Sequence, residues 1–231
     1  MASHSAILVR LTATAAALTS PQSSAGRLCE AASTLADADG AALTLGEGPD
    51  GMGREVLWTT DATARLLDEL HDTLGEGPAV DAQRTSTPVS VSVEQGGAAE
   101  RWPLFADAAR AAGARRVAAL PIHANGQAAG VLLLYRARAG TFALPPSDLE
   151  FLADAVGLVL VQAGGTPDES QSTGHSAVDQ AVGMVMAEQG LSPLDALSLL
   201  RAYGFAHGIL PAEVARQVLD RSLHLRPDGP H

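Results

Sequence analysis

Several residue types are scarce in this chain of 231 residues, and each absence excludes a class of protein. The one cysteine, Cys29, cannot form an internal disulfide, so a disulfide-stabilised secreted domain is excluded and a reducing compartment is expected. No apolar run approaches the roughly eighteen residues that a membrane-spanning helix needs. Aromatic residues make up 3% of the chain, so most of them are needed for the core. The sequence therefore predicts a soluble, cytoplasmic protein that does not contact a membrane.

Positive charge is also scarce. The 15 basic residues are all arginine and stand against 26 Asp and Glu, which gives a net charge of -11 at pH 7. A protein with so negative a surface is not drawn to nucleic acid by bulk electrostatics, so any contact with RNA must be local. Arginine suits such a contact, because its planar guanidinium binds phosphate through two N–H groups and stacks on bases.

The C-terminal residues show the period of three short helices. In the first helix, apolar residues recur from Val178 at i, i+3, i+4, i+7 and i+8, which places them on one face, and Gly190 ends it. The second helix begins with Ser192 as N-cap and Pro193 in the first helical position. The third begins at Pro211. None of the three could bury its apolar stripe alone, so the sequence predicts one small three-helix domain.

This segment resembles the ANTAR family. The matching residues are Gln180, Ala181, Gly183, Met184 and Met186, then Gly190-Leu191-Ser192, Asp195-Ala196, Leu199-Leu200-Arg201 and Glu213-Val214-Ala215. The resemblance implies an output module that binds hairpins in nascent RNA and prevents transcription termination. RNA hairpins are then the expected partner, and RNA polymerase is an indirect one.

Five residues of this segment are candidates for RNA binding. Arg201, Arg216 and Arg221 are expected to contact phosphates, and Arg201 alone falls on a family position. Tyr203 and His207 are candidates for stacking on bases. Each arginine could instead be an ordinary solvated residue of a helix surface, and Tyr203 could be a core residue.

The first two thirds of the sequence alternate between helix and strand patterns. Helices are predicted at residues 5–18, 24–37, 61–74, 81–84, 98–112 and from a capping box at Ser147 to residue 163, and strands at 40–46, 55–60, 88–93, 115–123 and 127–136. Asn125-Gly126, between the last two strands, is the strongest short hairpin signal. The glycine-rich residues 46–53 are interpreted as another hairpin turn, because they lack the Gly-Lys-Ser/Thr ending of a phosphate-binding loop.

Five motifs in this part resemble the GAF sensor family. They are Gly75-Glu76-Gly77-Pro78, Asp81-Ala82 with Arg84-Thr85, Arg101-Trp102-Pro103 with Phe105, Val117-Ala118 with Leu120-Pro121, and Gly130-Val131-Leu132 with Leu134-Tyr135. The resemblance implies an α/β domain with an antiparallel sheet flanked by helices. Similar GAF domains precede ANTAR modules in actinobacterial regulators. That subgroup often has a cysteine after Gly-Glu-Gly-Pro, where this chain has Ala79, so thiol or tetrapyrrole attachment is not expected there.

The sensor part has candidates for a ligand pocket but none for catalysis. Trp58, Trp102, Phe105, His123 and Tyr135 could line a small-molecule pocket over the sheet, although most of them must also serve the core. The seven histidines are dispersed and no two have metal-ligand spacing, so neither a metal site nor a cofactor is expected. Cys29 lies beside an apolar helix stripe and is interpreted as a core or boundary residue rather than a redox centre.

The predicted organisation is therefore an N-terminal helix (1–22), a GAF-like sensor domain (23–163), a linker (164–174), an ANTAR-like domain (175–226) and a tail (227–231). The linker is rich in Gly, Ser and Pro. The apolar faces of the N-terminal helix and of the helix that ends at residue 163 have no other obvious cover, so a homodimer seam is expected there.

The sequence predicts a regulator without enzymatic activity that binds RNA hairpins under the control of its sensor. The alternative is a protein-interaction regulator whose output helices pair with another signalling protein and do not bind RNA. The alternative is favoured by the scarcity of positive charge in this segment. Val182 and residues 208–212 occupy positions where the family usually has basic residues, and the segment from His175 to His231 contains four arginines but six carboxylates.

Overall fold

The computed structural model describes residues 4–20, 23–46, 55–94, 97–124, 127–162, 173–209 and 211–226. The chain forms two compact units, Met1–Gln171 and Ser172–His231. The predicted linker lies largely outside the described residues, as do the predicted tail and the turns at 47–53 and 125–126.

A five-stranded antiparallel sheet is the centre of the first unit. Its strands are β1 (Gly40–Leu45), β2 (Glu55–Thr59), β3 (Val89–Ser92), β4 (Arg116–Ala124) and β5 (Gln127–Arg136). They lie in the order β2-β1-β5-β4-β3, so β2 and β3 are the edges. The predicted hairpin of β4 and β5 is confirmed by the pairing of Ala124 with Gln127.

Seven helices flank this sheet in the described part of the first unit: α1 (His4–Ala17), α2 (Ser24–Ala36), α3 (Ala62–Leu74), α4 (Pro78–Thr85), α5 (Gly97–Arg101), α6 (Pro103–Ala111) and α7 (Pro146–Gln162). On one face, called here the α2–α7 face, α2 packs on β1 and β2 and α7 packs on β4. Helices α3 and α4 cover the opposite face, called here the α3–α4 face, together with α5 and α6.

The N-terminal helix α1 belongs to the first unit and packs into its core. Ile7 and Leu11 of α1 are fully buried in the core of the α2–α7 face, where α1 contacts both α2 and α7. The premise that the apolar faces of α1 and α7 lack cover within one chain is therefore wrong, because these faces cover each other.

The helix predicted over residues 98–112 is two helices. Helix α5 ends at Arg101 and α6 begins at Pro103, with Trp102 between them at φ -140 and ψ 75. Proline clashes with a helical conformation of the residue before it and has no N–H to donate, so Pro103 ends one helix and begins the next. Helix α7 likewise begins at a proline, Pro146, one residue before the predicted cap at Ser147.

The second unit consists of three helices with a core of their own. These are α8 (Thr173–Gln189), α9 (Pro193–His207) and α10 (Pro211–Leu219). Its core consists of the buried hydrophobic side chains of Ala181, Val182, Val185, Ala196, Leu197, Leu200, Val214, Ala215, Val218 and Leu225. The predicted N-cap is confirmed, because the Ser192 hydroxyl accepts a hydrogen bond from the Asp195 N–H at 3.2 Å. At Gly204, an added Cβ would lie 2.7 Å from the Ile209 carbonyl, so a glycine lets the chain turn back closely toward α10.

None of the described helices is both long and apolar enough to cross a membrane.

Candidate functional site

Two of the candidate arginines lie at the C-terminal end of α10. The guanidinium of Arg216 is 67% exposed, and its Nη2 lies 2.7 Å from the Glu213 carboxylate one turn earlier. Arg221 is exposed just after the helix, with a positive φ of 62. Both side chains can reach solvent, but Glu213 offsets part of the positive charge of Arg216.

The two candidate stacking residues lie against each other. The Tyr203 and His207 rings are one turn apart on α9, with centroids 3.9 Å apart and planes 19° apart. His207 Nδ1 is 2.9 Å from the Tyr203 carbonyl oxygen, which fixes the imidazole over the phenol. Tyr203 is half-buried, so the exposed ring of this pair is that of His207.

Arg201 lies on the other flank of α9. Residues that are two positions apart in an α-helix are rotated by about 200° around its axis, so Arg201 and Tyr203 lie on different sides of α9. Arg201 shares its flank with Leu194 and Phe205, which are 50% and 64% exposed. The structure thus pairs Tyr203 with His207 and places Arg201 beside two solvent-exposed apolar side chains that the sequence analysis did not single out. Leu194 and Phe205 lie outside the apolar stripe that α9 turns to the core, and this spacing could have identified them in the sequence as exposed.

In the sensor, Asp81 joins the motif residues of α4, α5 and α6. Its carboxylate accepts hydrogen bonds from Arg84 Nη2 at 2.8 Å and from Trp102 Nε1 at 3.2 Å. Arg101 Nη2 lies 2.7 Å from the second oxygen, and this guanidinium stacks over the Trp102 ring at 4.7 Å. Both carboxylate oxygens of Asp81 and the indole N–H of Trp102 have partners inside this cluster, so the cluster holds these helices together.

The Gly-Glu-Gly-Pro motif also has a structural role. Glu76 accepts hydrogen bonds from the backbone N–H groups of Leu104 and Phe105 at 2.9 and 3.0 Å, at the N-terminal end of α6. Gly77 has φ +125, and an added Cβ there would lie 2.7 Å from the His71 ring. The motif therefore caps the N-terminus of α6 through Glu76 and packs against the buried His71 through Gly77.

The five predicted pocket residues do not lie on one side of the sheet. Trp102, Phe105 and Tyr135 are buried in the core of the α3–α4 face. Trp58 is half-buried against the core of the α2–α7 face. The structure thus brings three of the five into one cluster, as packed core residues.

His123, the fifth predicted pocket residue, links three elements. Its Nδ1 lies 3.0 Å from Asp154 Oδ1 of α7, and its Nε2 lies 3.2 Å from the Ser86 carbonyl oxygen that follows α4. Burial alone would lower the pKa of His123, but the hydrogen bonds to Asp154 and Ser86 raise it above the ordinary value overall. Both ring nitrogens face acceptors, and both can donate only when the ring is protonated.

Groups that could support metal or thiol chemistry are absent or inert in the described part of the chain. No group of three or more His, Cys, Asp or Glu side chains could hold a metal ion among those residues. Cys29 is fully buried, and burial raises the pKa of its thiol well above the ordinary value, which keeps it protonated and unreactive.

Sequence reasoning missed a groove of about 650 Å³ at the β3 edge of the α2–α7 face. Its walls include residues 141–145, which precede α7, and Pro146, the first residue of α7, and its floor includes Leu120 of β4. The apolar Phe142 and Leu144 beside Pro145-Pro146, in a segment without helix or strand pattern, were the available signal.

Comparisons with known proteins agree with the fold and the motifs. The GAF domain model matches residues 20–163, and the ANTAR domain model matches residues 169–219. No curated protein matches the chain.

The solved structures that match the chain include three GAF domains of low sequence identity. The nlh2 GAF domain of A. aeolicus in an inactive state is 12% identical, with 69% of this chain and 96% of that chain covered at a TM-score of 0.44. The phycoerythrobilin-bound GAF domain of a cyanobacterial phytochrome is 14% identical, with 71% and 97% covered at 0.46. The GAF domain of a phosphoenolpyruvate-protein phosphotransferase from Coxiella burnetii is 15% identical, with 70% and 96% covered at 0.42.

The GAF model covers more than half of the residues, and its match agrees with the five-stranded sheet and the five motifs. The protein therefore belongs to the GAF family, with a GAF domain followed by an ANTAR domain at the C-terminus.

Proposed function

We propose that the protein is a signal-responsive antitermination regulator that binds hairpins in nascent RNA through its ANTAR domain. The observation that carries the proposal is the succession of a GAF and an ANTAR domain in one chain. The protein then acts on RNA polymerase only indirectly, through the transcript, and catalyses no reaction. Cys29 is free and buried, which is compatible with the reducing cytoplasm where such a regulator would work.

The candidate RNA contacts form small, separate groups. Arg216 and Arg221 near the end of α10 are exposed and suit phosphates, and the outer face of the His207 ring suits an unpaired loop base. Arg201 is half-buried on the opposite flank of α9. With so few cations, binding is expected to be weak and strongly dependent on salt, since each phosphate contact changes the logarithm of the affinity by about 0.7 to 0.9 per logarithm of salt concentration.

A gel shift with a two-hairpin RNA tests this interface. Replacing Arg201 and Arg216 with Ala is expected to weaken binding by the full-length protein and to reduce the salt dependence by about one to two phosphate contacts. The reciprocal variant, Glu213→Gln, removes the carboxylate that pairs with Arg216 and is expected to tighten binding. Arg110→Ala is the matched control, because this arginine is exposed and pairs with Asp107 at i, i+3 on α6 of the GAF domain. If the variant with both Arg201 and Arg216 replaced binds RNA as the wild type does, neither residue is in the interface.

A second candidate function is favoured by Leu194 and Phe205. Two large apolar side chains exposed on one flank of α9 are typical of a surface that binds another protein. Under this alternative the output helices pair with another signalling protein, and the ANTAR domain does not bind RNA. The two functions differ in the same gel shift at low salt, where the alternative predicts no RNA-specific complex.

Regulation by the GAF domain would follow from differential binding. A small molecule or a partner that binds one conformation of the protein more tightly than another shifts the population toward it. A homodimer remains part of this proposal. Because α1 and α7 cover each other's core faces, its interface would use their outer surfaces, where Val9, Leu158 and Val161 are exposed.

A further inference from the structure

The groove at β3 exists because two helices are too narrow to cover five strands. Strands lie about 4.8 Å apart and a helix is about 10 Å wide, so α2 and α7 together cover about four strands. Helix α2 packs on β1 and β2, and α7 on β4, while β3 packs with α4 and α5 from the other side. The α2–α7 side of β3 is left open, and the segment 141–146 forms the outer wall of the resulting groove.

The floor and walls of the groove are mostly apolar. Leu120, Phe142, Leu144 and Leu149 line it, and all four are buried in the core of the α2–α7 face. The wall segment is held in place by a hydrogen bond of 2.9 Å from the Ala143 N–H to the Ala36 carbonyl at the end of α2. A volume of about 650 Å³ lies within the range of small-molecule pockets, about 300 to 1,000 Å³.

Arg116 is the charged residue of this lining. Arg116 as a whole residue is half-buried, and its Nε donates a hydrogen bond of 2.8 Å to the Gly140 carbonyl, which orients the guanidinium at the groove. Within the described ranges, its two terminal nitrogens have no carboxylate partner. Six other arginines of the first unit form ion pairs with Asp or Glu: Arg84, Arg101, Arg110, Arg115, Arg136 and Arg138. Arg116 is thus an oriented cation with free donors beside an apolar surface.

We propose that this groove binds a small monocarboxylate with an apolar body. The carboxylate would accept hydrogen bonds from the terminal nitrogens of Arg116, and the apolar body would lie over Leu120, Phe142 and Leu149. Ser90 adds one hydroxyl at the β3 side. A dicarboxylate is disfavoured by the same chemistry, because a second charge placed over the apolar part of the groove would have no partner there.

The groove lies at the start of α7, which is the last helix before the ANTAR domain in the order of the chain. Pro145, Pro146 and Leu149 at this start are part of its lining, so an occupant contacts both the β-sheet edge and the first turn of α7. A role for the occupant as the signal of the GAF domain rests on the proposed function. Binding of the carboxylate does not rest on it, and the two are tested separately.

Calorimetric titration of the full-length protein with octanoate tests the proposal. Octanoate is expected to bind, and octanol and octanedioate, which have the same chain length, are expected to bind at least ten-fold more weakly. Arg116→Gln is expected to weaken octanoate binding about ten-fold or more and to leave octanol binding unchanged, since a hydrogen bond to a charged group is lost. Arg110→Gln makes the same change of charge outside the groove and should bind octanoate as the wild type does.

A second variant guards against a loss of folding in Arg116→Gln. Ser90 is exposed on the edge strand β3, so Ser90→Trp can fill the groove without disturbing the core, and it is expected to abolish octanoate binding. Octanoate that binds Ser90→Trp as well as the wild type, or that binds no better than octanol, would overturn the proposal. Failure of the RNA gel shift would leave it standing, because no RNA enters this titration.

Discussion

Asp81 holds three side chains from different places in the chain: Arg84 one turn later on α4, Arg101 at the end of α5, and Trp102 between α5 and α6. The carboxylate is buried, whereas the side chains of both arginines are more than half exposed. Asp81 therefore stabilises the fold mainly because its buried carboxylate accepts hydrogen bonds from several donors. The attraction between it and the solvated arginine charges contributes less.

Asp81→Asn is expected to lower the free energy of unfolding by about 2 kcal/mol, because the amide brings an N–H group toward donors that need an acceptor. Urea denaturation monitored by tryptophan fluorescence measures this, since Trp102 is part of the cluster. Asp107→Asn is the matched control: it also removes an Asp–Arg pair at i, i+3, but one that is exposed on α6, and should cost less than about 1 kcal/mol. Equal losses in the two variants would contradict a structural role for Asp81.

The candidate site residues could be chosen from the sequence, but their surroundings could not be predicted, because these depend on strand pairing and side-chain conformation. Trp58 is an example. β1 and β2 pair Leu43 with Trp58 but Thr44 with Val56, so a bulge interrupts the alternation, and the face of the sheet that Trp58 joins cannot be read from strand periodicity. The pairing of Arg216 with Glu213 was visible as i, i+3 spacing, whereas the stacking of His207 on Tyr203 required side-chain conformations.

At the scale of elements, most helices and strands could be predicted because their periods and caps are strong. Asp61 caps α3 through the Ala64 N–H, and Gly75 ends it in the left-handed conformation, as the sequence indicated. The break between α5 and α6 was missed because apolar spacing continues through it, although Pro103 marked the place. The open side of β3 could not be predicted, since it depends on how many strands two helices cover.

His123 joins β4 to α7 through Asp154 and to the end of α4 through the Ser86 carbonyl. Because hydrogen bonding raises the pKa of His123 in the folded protein, the protonated ring stabilises the fold. This contribution is complete below the unfolded pKa, about 6.5, and is lost as the pH rises through the higher folded pKa. Both partners are partly exposed, so its size is expected to be under about 1 kcal/mol.

Urea denaturation of the wild type and of His123→Gln between pH 5.5 and 8.5 measures this contribution. The difference in unfolding free energy is expected to be larger at the acidic end and to shrink above pH 6.5. Asp154→Asn keeps the shape of the acceptor but removes its charge, and should reduce the pH dependence. If the difference in unfolding free energy between the wild type and His123→Gln grows with pH, the neutral form of the His123 ring stabilises the fold, contrary to this prediction.

At the scale of the whole molecule, the chain consists of two units that each bury their own apolar residues. Both tryptophans, Trp58 and Trp102, belong to the first unit, so tryptophan fluorescence reports on that unit alone. Circular dichroism at 222 nm reports on the helices of both. The two signals therefore separate the stability of the GAF domain from that of the ANTAR domain without any label.

Leu200→Ala is expected to unfold the ANTAR domain selectively. Leu200 is fully buried in the three-helix core, and its truncation should cost about 2 to 5 kcal/mol. A domain of this size has a net stability of about 3 to 5 kcal/mol, so most of that stability would be lost. Circular dichroism should then show an early loss of helix, while the fluorescence midpoint stays at its wild-type value.

Leu132→Ala, at an equally buried leucine of β5, is the matched control and should lower the fluorescence midpoint instead. If Leu200→Ala lowers the fluorescence midpoint as well, the two units unfold as one. Independent unfolding has a functional consequence that the same variant can test: Leu200→Ala should lose RNA binding in the gel shift yet keep octanoate binding in calorimetry. That combination would place the RNA site in the ANTAR domain and the carboxylate site in the GAF domain, because each site requires only its own unit to be folded.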